Sequence, residues 1–338
     1  MASTSHDVDC VVVGAGLAGL AAARALVAAG RTVAVVEARD RVGGRTLNAD
    51  IGDGKVVEVG GQWVGPSQHR VMALIRELGL ETFPTHSTGD NLVEYRGERK
   101  RYRGSIPRIN PLILADIGQA QARLDRMARQ VPLDEPWRAP KAREWDQQTA
   151  WTWIRRNART AGGRALLQLG IEGVWAVHPG DVSLLHVLFY VHSAGGFDAL
   201  IATEGGAQQD RVVGGSQRIA LRMAEELGEE RILRSTPVRA IAHDPDGVTV
   251  GDVRARRAII AVAPTLAGRI AYAPALPGLR DQLTQRMPQG SVIKCHAVYD
   301  EPFWRAEGFS GEVTSVEGPV KVAFDNSPPD GSPGVLMG

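Results

Sequence analysis

"VVVGAGLAGL", residues 11–20, runs from an apolar strand through Gly14, Gly16 and Gly19 into a helix. The G-x-G-x-x-G spacing has a reason at each position. Gly14 permits a tight turn, Gly16 lets backbone approach a pyrophosphate, and Gly19 lets the helix lie close to the strand. The helix N-terminal amides then face the anion. Read outward, residues 8–37 form a βαβ unit: "DCVVVGAG", then "LAGLAAARALVAAG" ended by Gly30, then "TVAVVEA". Glu37 closes the second strand about 20 residues on, where a carboxylate can accept hydrogen bonds from a ribose. A dinucleotide site is expected; a glycine-rich structural turn is the plainer alternative.

The surrounding chain sets limits. At 338 residues it is long for one core, so two domains are expected. A formal charge of +1 and the lack of a long basic block argue against nucleic acid as a partner. Cys10 and Cys295, both in apolar sequence, form no CxxC pair or disulfide framework, which suits a reducing, cytoplasmic setting. The start, "MASTSHDVD", has no leader pattern, and no apolar run reaches the ~18 residues needed to span a membrane.

Along the chain, "KVVEVGGQWVG" reads as a strand, and Ser67 as the cap of a helix carrying Val71, Leu74, Ile75 and Leu78. From residue 84 prolines punctuate helical patterns such as "LILADIGQAQARLDRMARQV", and Trp137, Trp145, Trp151 and Trp153 are expected to pack a helical domain rather than form an aromatic binding surface. Near residue 212 the α/β texture returns with "VVGGS", the helix "QRIALRMAEELG", a turn at "DPDG" and the strand "RARRAIIAVAP". The expected fold is α/β: a doubly wound, Rossmann-like nucleotide domain (1–83 and 212–285) interleaved with an α+β substrate domain (84–211 and 286–338). The end, "SPPDGSPGVLMG", reads as a strand just beginning, as though the chain were truncated.

"EARDRVGGRT" places Arg39, Arg41 and Arg45 around Gly43 and Gly44, concentrating cations after the ribose-binding strand, which a nicotinamide enzyme does not generally need. This segment resembles the second signature of flavin amine oxidases, and "EVGGQWVGPSQHR", "PWRAPKAREWD", "VVGGS" and "GSVIKCHAVYDEPFWR" follow in the order of similar segments in flavin-dependent monoamine oxidases, including bacterial amine and putrescine oxidases. The resemblance covers essentially the whole chain. It implies FAD as cofactor, held by Gly14, Ala15, Gly16, Ala18, Gly19, Glu37, Arg39, Gly44, Arg45, Gly60, Gly61, Gln62, Trp63 and the backbone of Val238. It also implies a small-molecule amine substrate lined by Val174, Leu200 and Gln208, dioxygen as oxidant, and a homodimer as one assembly open to it. Alignment at Gln208 is loose, because "GGAQQDRVVGG" is one residue longer than in the mammalian enzymes.

Lys294 in "GSVIKCHAVYDEPFWR" interrupts an apolar, β-branched run of the kind that makes a buried strand. Taken alone, the segment fits a half-exposed strand with Lys294 and His296 in water. The resemblance implies instead a lysine that holds a water against flavin N5. A cation there stabilises the negative charge that develops as reduced flavin meets dioxygen. The eight histidines show no metal-ligand spacing, so no metal is expected. In the family a later segment supplies an aromatic pair and the last piece of the FAD domain; neither is assigned here, and weak FAD binding is expected of this stretch alone. The rivals are another FAD oxidoreductase of the same fold, such as an amino-acid or polyamine oxidase or a desaturase, and a non-catalytic flavin-binding scaffold. A pyridine-nucleotide disulfide reductase would need a CxxC and a second fingerprint.

Overall fold

The computed structural model describes residues 7–104 and 107–338, so the first six residues of the stretch read for a leader lie outside it. Its strands and helices divide between two compact units, Met1–Gln62, Leu74–Glu81 and Gly214–Gln289 in one, Trp63–Ala73, Thr82–Val213 and Gly290–Gly338 in the other.

The first unit is built on the quoted glycine turn. Strand β1 (Val8–Val13), helix α1 (Leu17–Ala28) and strand β2 (Val33–Val36) follow in order. β1 lies between two parallel neighbours, β2 and Val253–Ile260, and Ile232–Leu233 continues the parallel set beyond β2. The remaining strands run Gly247–Val250, which is antiparallel, then Ala240–Asp244 and Ala271–Ala273, giving a mixed α/β unit with a mainly parallel sheet. Val11, Val12 and Val35 are fully buried, as a strand covered on both faces requires. Each such aliphatic side chain contributes about 1.5–3 kcal/mol over exposure. α1 stops at Gly30 (φ +74°): its N–H donates to Val27 O at 2.9 Å and that of Arg31 to Leu26 O at 3.0 Å, the paired bonds of a left-handed helix stop.

Two local expectations change. "KVVEVGGQWVG" is not one strand: Lys55–Glu58 pairs with Asn48–Gly52 as a hairpin, and Trp63–Val64 pairs elsewhere, with Asp210–Val212. The Gly60–Gly61 peptides leave the ladder to bond Leu47 O and Arg45 O. Nor does Ser67 cap a helix; it sits in a turn, and the helix begins at His69.

In the second unit, helices Pro111–Ala128, Ala150–Asn157, Ala161–Trp175 and Leu184–Ala194 enclose a core containing Leu124, Trp145, Trp153, Val187 and Leu188. Asn110, Thr149 and Thr160 accept the first-turn amides of Leu112, Thr152 and Gly163, so each of three helices starts at a polar cap. Trp151 packs against this core, but Trp137 is 66% exposed on a short 3-10 turn and does not. The unit also carries a six-stranded sheet ordered His296–Tyr299, Gly334–Met337, Val322–Asp325, Phe309–Ser315, Asp90–Tyr95, Glu98–Tyr102.

Candidate active site

In the first unit the two glycine turns expected to hold a nucleotide meet at the carboxyl end of β1, while Trp63 falls in the second unit. Gly14 has φ +105°, and a Cβ there would lie 2.9 Å from Ala261 O. A Cβ on Gly19 would lie 1.9 Å from Gly14 O, so only glycine lets α1 start this close to its strand. The second glycine pair closes over the first: Gly43 N–H donates to Ala15 O at 2.9 Å, and a Cβ on Gly44 would come within 3.2 Å of the Gly16 Cα. Two bare backbones thus face each other, as a cradle for a diphosphate requires. Ala18 and the side chains of Arg39 and Arg45 are exposed around it, whereas Arg41 turns back to donate to Val42 O and Gly44 O and braces the loop.

Glu37 is buried. Its Oε2 accepts from Ala15 N–H at 2.8 Å and its Oε1 from Arg39 N–H at 2.9 Å. A carboxylate has about four lone-pair positions, so acceptor capacity remains for a ribose. The carbonyls of Glu37 and Arg39 receive Thr236 N–H and Ser235 N–H, which brings the segment of half-buried Val238 beside the end of β2. Gly61 N–H donates to Arg45 O at 3.0 Å, and Gln62 is buried next to it. Sequence reasoning missed two residues that tie these loops together. The Ser216 hydroxyl donates to Gly61 O, and the Gln217 side chain donates to Val42 O at 3.0 Å and accepts from Asn48 N–H at 2.9 Å. The "VVGGS" motif was the available signal.

In the second unit the lysine segment departs from a buried strand. Only His296–Tyr299 forms a ladder, at the edge of its sheet, and Val292 and Ile293 are 71% and 84% exposed. Cys295 is likewise exposed. β-branched sequence signals an extended chain but not its burial; here Val292 and Val298, on the same side as Lys294 and His296, are 71% and 48% exposed. Lys294 and His296 are half-buried while Ile293, Cys295 and Ala297 are open. The Lys294 Nζ lies 5.8 Å from the Trp63 ring centroid, and the Phe324 ring meets Trp63 edge-on at 5.0 Å.

Among the expected substrate-lining residues, Gln208 and Leu200 come together: the Gln208 amide donates to Leu200 O at 3.0 Å. Val174 is half-buried near the end of its helix, two residues before Ala176, whose carbonyl accepts Ser291 N–H at 2.7 Å. Sequence reasoning missed Glu312. Its Oε1 accepts from the Thr203 hydroxyl at 2.5 Å, in the loop between Leu200 and Gln208, and burial pushes its carboxyl above the usual range. The arginine of "EPFWR" is also structural: Arg305 binds Asp325, which accepts the Trp304 indole N–H as well. Burial holds the His186 imidazole below its usual range. No group of three or more metal-ligating side chains occurs among the described residues. No helix among them is long and apolar enough to cross a membrane.

A glycine cradle with a buried carboxylate at its strand end defines a dinucleotide-binding α/β protein. Comparison with known proteins narrows the class. Residues 17–338 match the model of the flavin containing amine oxidoreductases. The chain is 45% identical over 335 residues to AofH of Mycobacterium tuberculosis, which carries the name of a flavin-containing monoamine oxidase; the match spans 98% of this chain and 73% of that protein. The solved structure of wild-type putrescine oxidase bound to putrescine superposes with a TM-score of 0.92 at 39% identity, over 98% of this chain and 74% of the other. Cyclohexylamine oxidase from Brevibacterium oxydans gives 0.91 at 33% identity, with the same coverage. The chain belongs to the flavin-containing amine oxidoreductase family.

Proposed function

We propose that this protein is an FAD-dependent amine oxidase that converts a primary amine, dioxygen and water into an aldehyde, ammonia and hydrogen peroxide. Bound FAD supplies the two-electron acceptor, taking a hydride equivalent from the carbon next to nitrogen and passing the electrons to dioxygen. The first unit is then the FAD-binding domain, and the second the substrate domain.

The roles follow from residue chemistry. Gly14, Gly16 and Gly44 present backbone to the diphosphate, with Ala15, Ala18, Gly19, Arg39 and Arg45 around it, and Gly60, Gly61, Gln62 and Trp63 let backbone run past the flavin. Glu37 orients the ribose and Val238 meets the adenine. Val174, Leu200 and Gln208 line the amine site, whose apolar members favour the neutral amine, because desolvation disfavours the ammonium. Lys294 supplies positive charge where dioxygen is reduced. Two unbridged cysteines support a reducing, cytoplasmic setting. A homodimer is the assembly to look for, read by sedimentation of the purified protein.

The observation that carries this reading is the half-buried Lys294, its Nζ 5.8 Å from the Trp63 ring centroid, in a segment whose Val292 and Ile293 are exposed. A lysine can bury its stem and keep its ammonium in water, so the informative feature is the approach of Nζ to an indole face rather than the burial of the stem. The test is Lys294→Met in the FAD-loaded protein, with stopped-flow reoxidation of the reduced flavin by dioxygen. A slowing of about tenfold or more is expected, equivalent to roughly 1.4 kcal/mol of lost charge stabilisation. An unchanged rate refutes the role.

A further inference from the structure

We propose that Gln217 is a positioning residue for the cofactor: its side-chain amide holds the Gly43–Gly44 turn against Gly16 before FAD arrives. This rests on the reading of the two glycine turns as the diphosphate site, and adds a residue that acts through the second turn.

Three observations within the first unit carry it. The turn needs more than its own bonds. Gly43 and Gly44 stand at φ +107° and +58°, a region that glycine leaves as readily as it enters. Thr46 donates to Gly43 O from its N–H at 3.0 Å and its hydroxyl at 2.9 Å, and Arg41 donates to Gly44 O at 3.2 Å. Such bonds brace the loop from within without fixing its distance from the first turn, which it meets through Gly43 N–H on Ala15 O at 2.9 Å.

Gln217 bonds both ends of that loop. Its Nε2 donates to Val42 O at 3.0 Å, its Oε1 accepts Asn48 N–H at 2.9 Å, and a Cβ on Gly43 would lie 3.1 Å from its Cγ. The side chain, 8% exposed, therefore lies against the glycine it positions. The amide is itself anchored. Gln217 opens the helix Gln217–Leu227, which packs on α1 with Ile219, Ala220 and Met223 buried, and Glu226 pairs with Arg24 of α1 at 2.8 Å. Gly16 caps the start of α1, so one helix pair sets the position of both turns.

The consequence falls on affinity rather than on chemistry. A cradle already formed spares the incoming diphosphate the ordering of a loop, which otherwise subtracts from binding. Without the amide, Asn48 N–H loses its acceptor, and Val42 O keeps the 3.4 Å approach of Arg41 as its remaining side-chain contact among the described residues.

The test combines hydrogen–deuterium exchange of the cofactor-free protein with a fluorescence titration of FAD on the same variants. Gln217→Met keeps the length of the side chain and removes both bonds. It is expected to speed amide exchange in the Gly43–Asn48 segment about tenfold and to raise the Kd for FAD about tenfold. Leu227→Ala is the control, since Leu227 is buried at the far end of the same helix: it should lower the urea midpoint while leaving segment exchange and FAD affinity within about twofold of wild type. Unchanged exchange in Gln217→Met overturns the proposal. So does an equal loss of FAD affinity in Leu227→Ala, which would assign the effect to docking of the helix in general. Should Gln217→Met fail to fold, Gln217→Glu decides: it keeps an acceptor for Asn48 N–H but turns a second acceptor toward Val42 O, so Gly43 must exchange faster while Asn48 stays protected, and any other pattern overturns the proposal. Exchange needs no cofactor, so failure of the wild-type protein to bind FAD would count against the nucleotide reading, while the hold of Gln217 on the turn would still be judged by exchange.

Discussion

Asp325 receives both arms of the Arg305 guanidinium, Nε at 2.7 Å on one oxygen and Nη2 at 2.9 Å on the other. Its side chain is 1% exposed and also accepts Trp304 Nε1–H and Ser327 N–H, each at 2.9 Å. The "EPFWR" motif therefore ties the short helix Phe303–Ala306 to the strand Val322–Asp325. Removing the acid leaves a part-buried guanidinium without its anion. Asp325→Ala is expected to lose about 3 kcal/mol in urea unfolding at pH 7.

The pH dependence of that joint has a definite sign. Burial alone would raise the Asp325 carboxyl, but Arg305 and the Ser327 and Trp304 donors outweigh it and hold it below the usual carboxylate range. Its contribution is therefore complete above the ordinary aspartate pKa of about 4 and lost as pH falls through the lowered folded value. The stability gap between wild type and Asp325→Ala should shrink between pH 5 and the acid limit of folding, measured by urea titrations across that range. A gap independent of pH would rule out the ion pair as its source.

Glu312 should behave in the opposite way. Burial raises its carboxyl, only partly offset by the Thr203 hydroxyl, so the folded protein holds that proton more tightly than the unfolded chain does. Its ionisation therefore opposes folding as pH rises from the ordinary glutamate value of about 4.3 through the raised folded value. Glu312→Gln keeps an acceptor for Thr203 and removes the buried charge. Its melting temperature at pH 7 should exceed that of wild type, with the difference vanishing near pH 4. A lower melting temperature at pH 7 would contradict this.

Glu37→Ala would leave Ala15 N–H and Arg39 N–H without their acceptor beside the glycine turn, at a cost of about 2 kcal/mol. Glu37→Gln should rescue little, because an amide offers one acceptor where two donors converge. Urea midpoints read the stability and a fluorescence titration reads FAD affinity; full rescue by glutamine would show that charge and paired acceptance are both dispensable.

Gly19→Ala places a methyl 1.9 Å from Gly14 O, a backbone atom with no room to retreat. α1 must shift, with a loss of about 1–3 kcal/mol and weakened FAD binding. Gly30→Ala meets no atom within 4 Å and strains only the left-handed φ of +74°, so it should cost about 1 kcal/mol and leave the nucleotide site unaffected. Equal effects on FAD affinity from the two variants would contradict this account of the turn.

The periodicity and glycine spacing of residues 8–37 determined the βαβ unit, its helix stop and the carboxylate at the end of its second strand, because those features arise from bonds between residues close in the chain. Sequence also placed the "DPDG" hairpin and the helix Gln217–Leu227, for the same reason. The exposure of the lysine segment was not legible: alternation names two faces, and only the elements packed against them decide how far each is covered. The same holds for the break at Gly60–Gly61, the exposure of Trp137, the Arg305–Asp325 joint and the approach of Lys294 to Trp63. Each of these depends on partners distant in sequence, and long-range contact between side chains is a property of the folded chain that no local pattern encodes.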